Sequence, residues 1–194
     1  MKLIDLFHLE FNEKSQTPEE SITPADALLK AFGALTCGSQ YVKDTVSDCL
    51  ADTQEFYNSR KEWKEVLEKR GLNYSSEAGP WLCVIAAVES AIPKGYLQEL
   101  RPHCSPDEFV LSLKKALAAA EIRFSPDRLT FDTQKSLAEW ARQFNEYAGQ
   151  SGITLYFIEL YGESRVMGAA RIADYAEAAE IAGFAGVKIT CRPD

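Results

Sequence analysis

The chain has 194 residues, of which 46% are hydrophobic and 26% charged, an ordinary globular composition that argues against disorder. Its 29 acidic and 21 basic residues give a formal net charge of −8, without the cationic run that nucleic-acid binding needs. The longest uncharged apolar run, Trp81 to Val88, is too short to span a bilayer. We therefore expect neither a nucleic-acid nor a membrane partner.

Five cysteines are widely spaced and odd in number, with no Cys-x-x-Cys pair and two histidines in the whole chain. This pattern favours reduced, mostly buried thiols over a zinc site, so we expect no metal. No glycine-rich phosphate-binding motif occurs, and we expect no cofactor. The first residues lack the apolar core of a signal peptide, which together with the thiols predicts a cytoplasmic protein.

The first half of the chain is predicted to be helical. Leu3–Phe11 fits either a helix or a strand, and a polar loop follows it. Thr23-Pro24 has the N-cap and N1 residues of a helix start, and Gly38 is a plausible stop. A long helical stretch then covers 41–70, with a break near Ala51-Asp52.

Three further helices are predicted before residue 150. The helix Trp81–Ile92 is apolar on nearly all sides and should be the most buried one. Ser105-Pro106-Asp107-Glu108 combines an N-cap serine, a proline at N1 and a glutamate at N3, which predicts a capping box. A last amphipathic helix opens at Asp132 or Thr133 and carries Trp140 on its apolar face.

The pattern changes after residue 150. Strands are predicted at 153–160, 165–172 and 187–191, with an alanine-rich helix at 174–182 between the last two. This ββαβ unit is too small to be stable alone and should pack on the helices. The predicted fold class is α+β: a single domain over 1–194, mostly helical over 1–150, followed by a small C-terminal ββαβ sheet over 151–194.

Two sets of residues are candidates for a site. Around the hairpin, Tyr156, Tyr161, Arg165 and Arg171 form a polar-aromatic cluster that suits a protein interface as well as an ordinary sheet edge. Glu89 and Glu159 lie in apolar segments where a carboxylate can act as an acid or base, and His103 and Cys104 are adjacent in a loop. These four, Glu89, His103, Cys104 and Glu159, are the candidates if the protein is an enzyme.

The run Gly95-Tyr96-Leu97-Gln98-Glu99-Leu100, the helix 109–117, Trp140 and the ββαβ tail together resemble a bacterial family of unknown function. The resemblance covers about residues 80–191, and Arg101-Pro102-His103 stands where that family carries an Asp-Trp-like turn. Since the family has no assigned activity, the resemblance implies a fold more than a function.

The leading functional hypothesis is a non-catalytic interaction protein, such as the immunity partner of a toxin, that binds a basic protein. The negative charge would steer such a partner, and no motif of a known active site appears. The alternative is an enzyme with a dispersed active site, whose roles geometry would fix. A ligand-sensing domain is a third possibility for which the sequence gives no specific sign.

Overall fold

The computed structural model describes residues 22–72, 74, 79–101, 103–160 and 165–192, which form eight α-helices and four strands. The ambiguous segment Leu3–Phe11 lies outside the described residues. The helices are α1 (Pro24–Leu35), α2 (Gln40–Ala51), α3 (Thr53–Ser59), α4 (Lys61–Lys69), α5 (Gly79–Ala91), α6 (Pro106–Ala119), α7 (Leu137–Ala148) and α8 (Ile172–Phe184). The strands are β1 (Leu97–Leu100), β2 (Ile153–Ile158), β3 (Arg165–Arg171) and β4 (Ile189–Thr190).

The four strands form one sheet in the order β1-β3-β2-β4, and every neighbouring pair is antiparallel. The hairpin β2–β3 pairs Ile153 with Arg171 and Ile158 with Val166, and both of its strands were predicted from the sequence. The fold class is α+β, which confirms the prediction. The sheet gains β1, a strand from inside the segment predicted as helical, because pairing with β3 stabilises four residues that carry little strand signal of their own.

Helices cover both faces of the sheet. On the first face, Leu97, Tyr156 and Val166 join a core built with α1, α2, α5 and α8, here called the first layer. On the second face, Leu155 and Met167 join a core built with α6 and α7, the second layer. All six residues of β2 are buried as a result, because each face of the strand meets a helix layer.

The most buried helix is the one that the sequence predicted. In α5, every residue from Leu82 to Val88 is buried, as is Ala91. The hydroxyl of Ser90 donates a hydrogen bond to the Ala87 carbonyl at 2.9 Å, which satisfies the polar group in this apolar position.

The helices α1, α3, α6 and α7 each begin with a side-chain N-cap hydrogen bond, and one predicted helix start is corrected. The capping box at Ser105 is present, with Glu108 accepting from the Ser105 backbone at 2.8 Å. The prediction that the next helix opens at Asp132 or Thr133 is wrong. The segment before Ser136 is a turn, and α7 begins at Leu137 behind a second complete capping box from Ser136 and Glu139.

The predicted helical stretch 41–70 is divided twice. The expected break lies at Asp52, whose side chain accepts from the Glu55 backbone and so caps α3. A second break at Arg60 separates α3 from α4. None of the described helices is long and apolar enough to cross a membrane.

Candidate functional site

The residues predicted as a hairpin interface do not share one surface. Tyr156 has 0% of its surface exposed, so it is not available to a partner in the described fold, and the prediction is corrected for this residue. Arg165 and Arg171 are the first and last residues of β3, roughly 20 Å apart at the usual strand rise. Tyr161 lies outside the described residues. Of the three described residues of this set, Arg171 is the one that is exposed beside a cavity.

The burial of Tyr156 depends on the glycine opposite it. Tyr156 pairs with Gly168 across the hairpin, and a β-carbon on Gly168 would lie 2.4 Å from the tyrosine hydroxyl. The ring also stacks on Tyr175 of α8 with centroids 6.2 Å apart. The phenol makes no hydrogen bond within the described part of the chain. Burial first, and then the charge of the neighbouring Cys37 thiolate, raise the pKa of Tyr156.

Glu89, the first enzyme candidate, belongs to a buried ionic cluster. Its carboxylate accepts from Arg70 Nε at 2.7 Å and from the same guanidinium's Nη2. Arg70 also lies 3.3 Å from Glu99, the glutamate of the Gly-Tyr-Leu-Gln-Glu run, which β1 carries to this point. The side chains of Arg70 and Glu89 are 8% and 12% exposed. The guanidinium of Arg70 therefore holds two carboxylates and links the end of α4 to α5 and β1. This cluster supports the fold.

The other three enzyme candidates do not belong to this ionic cluster. Glu159 follows β2 and forms an ion pair with Lys188 at 2.6 Å, beside β4. His103 is exposed in the loop between β1 and α6. Cys104 packs against the second core, and burial, then Glu108, raise the pKa of its thiol. Glu89, Glu159 and Cys104 therefore have different neighbours, and none of the four candidates lines either of the two cavities described below.

An exposed face of α8 is the clearest candidate for an interaction surface. Along this helix, Ala173, Glu177, Glu180 and Phe184 follow one another at i, i+4, i+7 and i+11, so they form one stripe. Phe184 is 59% exposed and Ile172, beside the stripe, is 42% exposed. We call the four stripe residues with Ile172 the outer face of α8. The helix contains three acidic residues and no basic one.

An open groove borders this face. It has a volume of about 550 Å³ and lies between α1, α2 and α8, with Glu177 on its α8 side. Its other lining residues include Leu29, Lys30 and Gly33 of α1 and Lys43 and Asp44 of α2. On the side of Glu177, the outer face of α8 therefore borders an open groove whose other walls are α1 and α2.

A second, smaller cavity lies at the edge of β3. Because β1 ends its pairing at Gly168, the last three residues of β3 extend past it. A cavity of about 220 Å³ occupies this place, between the turn after α1 and the end of α6. Its walls include Ala120, Ile122, Ala169 and Ala170, and its charged or polar residues are Cys37, Glu121, Arg171 and Asp174.

Two backbone positions beside this cavity are unusual. Cys37 has φ 50° and Glu121 has φ 55°, and they are the two non-glycine residues with positive φ in the described chain. Each follows the C-cap of a helix, α1 or α6, where a left-handed residue closes the last turn: the Gly38 N–H donates to the Gly33 carbonyl at 2.8 Å, and the Ile122 N–H donates to the Leu117 carbonyl at 2.9 Å. Burial first, then Glu121 and Asp174, raise the pKa of the Cys37 thiol, against the opposing effect of Arg171. At neutral pH this thiol is therefore protonated and is a poor nucleophile.

Metal coordination receives no support from these groups. Within the described residues, no three His, Cys, Asp or Glu side chains are grouped so that they could hold a metal ion.

Sequence reasoning found neither the outer face of α8 nor the cavity at the edge of β3, for different reasons. The alanine-rich helix was predicted over 174–182, so its exposed side could have been read from the helical periodicity of that segment. Phe184 was overlooked because the helix was expected to end at Ala182, two residues early. The cavity depends on positive φ values and on where β1 ends, and neither has a sequence signal.

Comparison of the sequence with known proteins gives a match to a protein family. A family model described as a domain of unknown function (DUF6630) matches residues 27–193. A search of curated proteins and a search of solved structures returned no match. The family match confirms the predicted resemblance to a family of unknown function, and it extends that resemblance from 80–191 towards the start of the chain.

Proposed function

Since the chain belongs to the DUF6630 domain family, whose function is unknown, we propose a function from its own surface: a non-catalytic protein that binds a basic protein partner. The outer face of α8 is the proposed contact. The observation that carries the proposal is the combination, on one exposed stripe, of two glutamates and a phenylalanine without a basic residue on the helix.

The two kinds of side chain would contribute differently to binding. Phe184 and Ile172 offer apolar area that a partner can remove from water, and such aromatic anchors supply much of the affinity of protein interfaces. Glu177 and Glu180 attract cationic side chains and accelerate encounter, within a chain of net charge −8. This division predicts that apolar substitutions change dissociation and that charge substitutions change association and salt dependence.

Native mass spectrometry of the protein purified from its own host at low salt tests whether a partner is present. We expect a second polypeptide of basic composition bound to the 21.6 kDa chain, and its release as the salt concentration rises. A bare chain would contradict the proposal. An integer multiple of 21.6 kDa would replace the basic partner with a second copy of this chain.

Matched variants then locate the contact. Phe184→Ala should weaken the complex at least about tenfold, as expected for an anchor residue. Leu111→Ala is the control, because Leu111 is also more than half exposed but lies on α6. Equal effects of the two substitutions would remove α8 from the interface.

A second pair of variants tests the charge argument. Glu177→Lys/Glu180→Lys should slow association and reduce its dependence on salt. Glu62→Lys/Glu68→Lys makes the same change in net charge on α4 and should have a much smaller effect, because screening confines electrostatic steering to nearby groups. If both double variants act alike, net charge rather than the α8 face governs binding.

A further inference from the structure

Two buried cysteines of the first layer lie against each other. Cys49, near the end of α2, and Cys83, in the first turns of α5, are 0% and 2% exposed. Their side chains form a hydrogen bond with each other. Both are free thiols, so two sulfur atoms that a disulfide would join are already neighbours in the reduced chain.

The side chain of Thr53 holds this pair at the junction of α2 and α3. Its hydroxyl donates a hydrogen bond to the Cys49 carbonyl at 2.9 Å and lies 3.6 Å from Cys83 Sγ, within hydrogen-bond distance for sulfur. The same hydroxyl forms a hydrogen bond with the Cys49 thiol. Thr53 is half-buried, whereas both cysteines are buried. The pair therefore lies one side chain below the surface, where a small solute is a better match than a protein oxidant.

The two thiols differ in their acidity. The hydrogen bond that Cys49 donates lowers the pKa of the Cys83 thiol against the opposing effect of burial, and Thr53 adds to the lowering. The same contact, and then burial, raise the pKa of Cys49. Burial also raises the pKa of Cys37 and of Cys104. Because the thiolate is the nucleophile, Cys83 is the one of these four thiols that should react first.

We propose that Cys49 and Cys83 form a redox-active dithiol, which hydrogen peroxide oxidises to an intramolecular disulfide. The Cys83 thiolate attacks one peroxide oxygen, the O–O bond breaks, and the hydroxide that leaves is protonated to water. The Cys49 sulfur then attacks the sulfur of the Cys83 sulfenic acid, so that the S–S bond forms and the S–O bond breaks. The departing hydroxide takes the Cys49 proton. In total the two thiols lose two electrons and two protons, and the peroxide is reduced to two molecules of water.

The disulfide would connect the end of α2 to α5, the most buried helix. A cross-link between distant segments lowers the entropy of the unfolded chain, so the oxidised protein should be the more stable form. Helix α2 also lines the open groove beside the outer face of α8, through residues that include Lys43 and Asp44. Oxidation would therefore fix one wall of that groove, and a thiol reductant would release it.

Disulfide mapping of the full chain tests the proposal. The reduced protein is treated with a small excess of hydrogen peroxide, the remaining thiols are blocked with N-ethylmaleimide in denaturant, and the unreduced digest is examined by mass spectrometry. We expect a peptide that contains Cys49 linked to one that contains Cys83, and its disappearance after treatment with dithiothreitol. If Cys49 and Cys83 remain free thiols, whatever happens to the other three cysteines, the proposal is overturned.

Two variants assign the roles of the thiols. In Cys49→Ala the reaction should stop at the Cys83 sulfenic acid, which dimedone labels. In Cys83→Ala the nucleophile is missing, and dimedone should label Cys49 at least tenfold less. Cys104→Ala is the control and should form the disulfide at the native rate, since Cys104 packs against the second layer. Equal labelling of Cys49 and Cys83 would contradict the assignment. Because the mapping uses the native chain, it decides the proposal even where a variant fails to fold.

Thermal unfolding gives a separate readout of the cross-link. We expect the unfolding midpoint of the oxidised protein to rise by roughly 5–15 °C and to return after treatment with dithiothreitol. An unchanged or lower midpoint would contradict a disulfide between α2 and α5 in the folded protein. Phe184→Ala should form the disulfide at the native rate, so failure of this proposal and failure of the proposed protein interface are distinguishable.

Discussion

The two faces of the sheet meet helix layers of different kinds. The second layer consists of α6 and α7, each opened by a complete capping box, over a cluster of aromatic rings such as Phe109 and Phe131 at 5.0 Å. The first layer contains the buried Arg70–Glu89 pair, the exposed face of α8 and the phenol of Tyr156, which has no hydrogen-bond partner among the described residues. Both helices of the second layer begin with the same capping box, whereas the first layer contains the buried ion pair and the exposed helix face.

This difference separates what stabilises the protein from what is available for binding. Regions in which capping, periodicity and packing all agree specify the fold, and departures from those rules concentrate where function requires them. The outer face of α8 and the cavity beside Asp174 both lie on the first-layer side or at its border. Four stability predictions sharpen the comparison, starting with the largest effect.

Removing the buried cation of the first layer should be the most damaging change. Arg70→Met leaves Glu89 and Glu99 without their shared partner at low exposure, and we expect a loss of about 3–5 kcal/mol in the free energy of unfolding. Denaturant titration measures it. The double variant Arg70→Met/Glu89→Leu should recover much of the loss, because it removes the stranded carboxylate as well.

The matched control for this change is an exposed pair. Lys61 and Glu65 lie 3.5 Å apart with side chains 89% and 61% exposed, so Lys61→Met should change the free energy of unfolding by less than about 0.5 kcal/mol. A small effect of Arg70→Met, comparable with that of Lys61→Met, would mean that the buried cluster does not support the first layer.

A glycine exchange tests the close approach of Tyr156 to β3. In Gly168→Ala the new methyl would lie 2.4 Å from Tyr156, and the expected loss is about 1–3 kcal/mol in the free energy of unfolding. Gly183→Ala on α8 meets no atom within 4 Å and should stabilise the protein by about 0.5–1 kcal/mol, since it improves helix propensity. Losses of similar size at both positions would contradict this account of Gly168.

The side-chain amide of Asn145, on α7 of the second layer, forms hydrogen bonds with the backbone of β2. The Asn145 side chain donates to the carbonyls of Leu155 and Cys191, each at 3.1 Å, and accepts from the Leu155 amide at 2.7 Å. Asn145→Ala leaves these backbone groups unpaired and should cost about 2 kcal/mol. Gln143→Ala, which removes one exposed hydrogen bond to Thr130, should cost less than about 0.5 kcal/mol. Equal thermal unfolding curves for the two variants would rule out this role for Asn145.

The smallest expected effect is a pH dependence from the capping box of α7. The backbone N–H of Ser136, and then its hydroxyl, lower the pKa of Glu139 below its ordinary value of 4.5. The carboxylate therefore stabilises the fold above pH 4.5, and this contribution is lost as the pH falls through the lowered pKa. Glu139→Gln should be less stable than the native chain near neutral pH, with the difference shrinking in acid.

Ser136→Ala is the control for that pH dependence. It removes the N-cap hydroxyl at a cost of about 1 kcal/mol, but it keeps the backbone N–H that lowers the pKa of Glu139 most. Its stability should therefore follow the native pH profile at a lower level. A native-like profile for Glu139→Gln as well would show that the box contributes nothing that depends on ionisation.

Much of the fold could be predicted from the sequence because it follows local rules. The capping box at Ser105, the buried helix around Leu82–Val88 and the hairpin of β2 and β3 are encoded by neighbouring residues. These predicted elements belong to both layers, and the helix start that was misplaced, that of α7, belongs to the second. There, the Ser136-Glu139 box outweighed the weaker N-cap signals at Asp132 and Thr133.

The candidate site was less predictable because it depends on contacts between distant segments. Tyr156 resembled an interface residue in the sequence, and it is buried because Gly168 leaves room for its ring. Glu89 resembled an isolated carboxylate, and it is paired with an arginine 19 positions earlier. Neither the partner of a buried charge nor the end of a strand pairing can be read from periodicity.

The most direct test of the account is hydroxyl-radical footprinting of the protein isolated from its host, compared between low salt and high salt. We predict that Phe184 is protected at low salt and is oxidised several times faster after salt releases the partner. Leu111 and Tyr147, both exposed on the second layer, should be oxidised equally in the two conditions. Protection of Leu111 and Tyr147 with Phe184 unchanged would contradict the claim that the α8 face is where this protein binds.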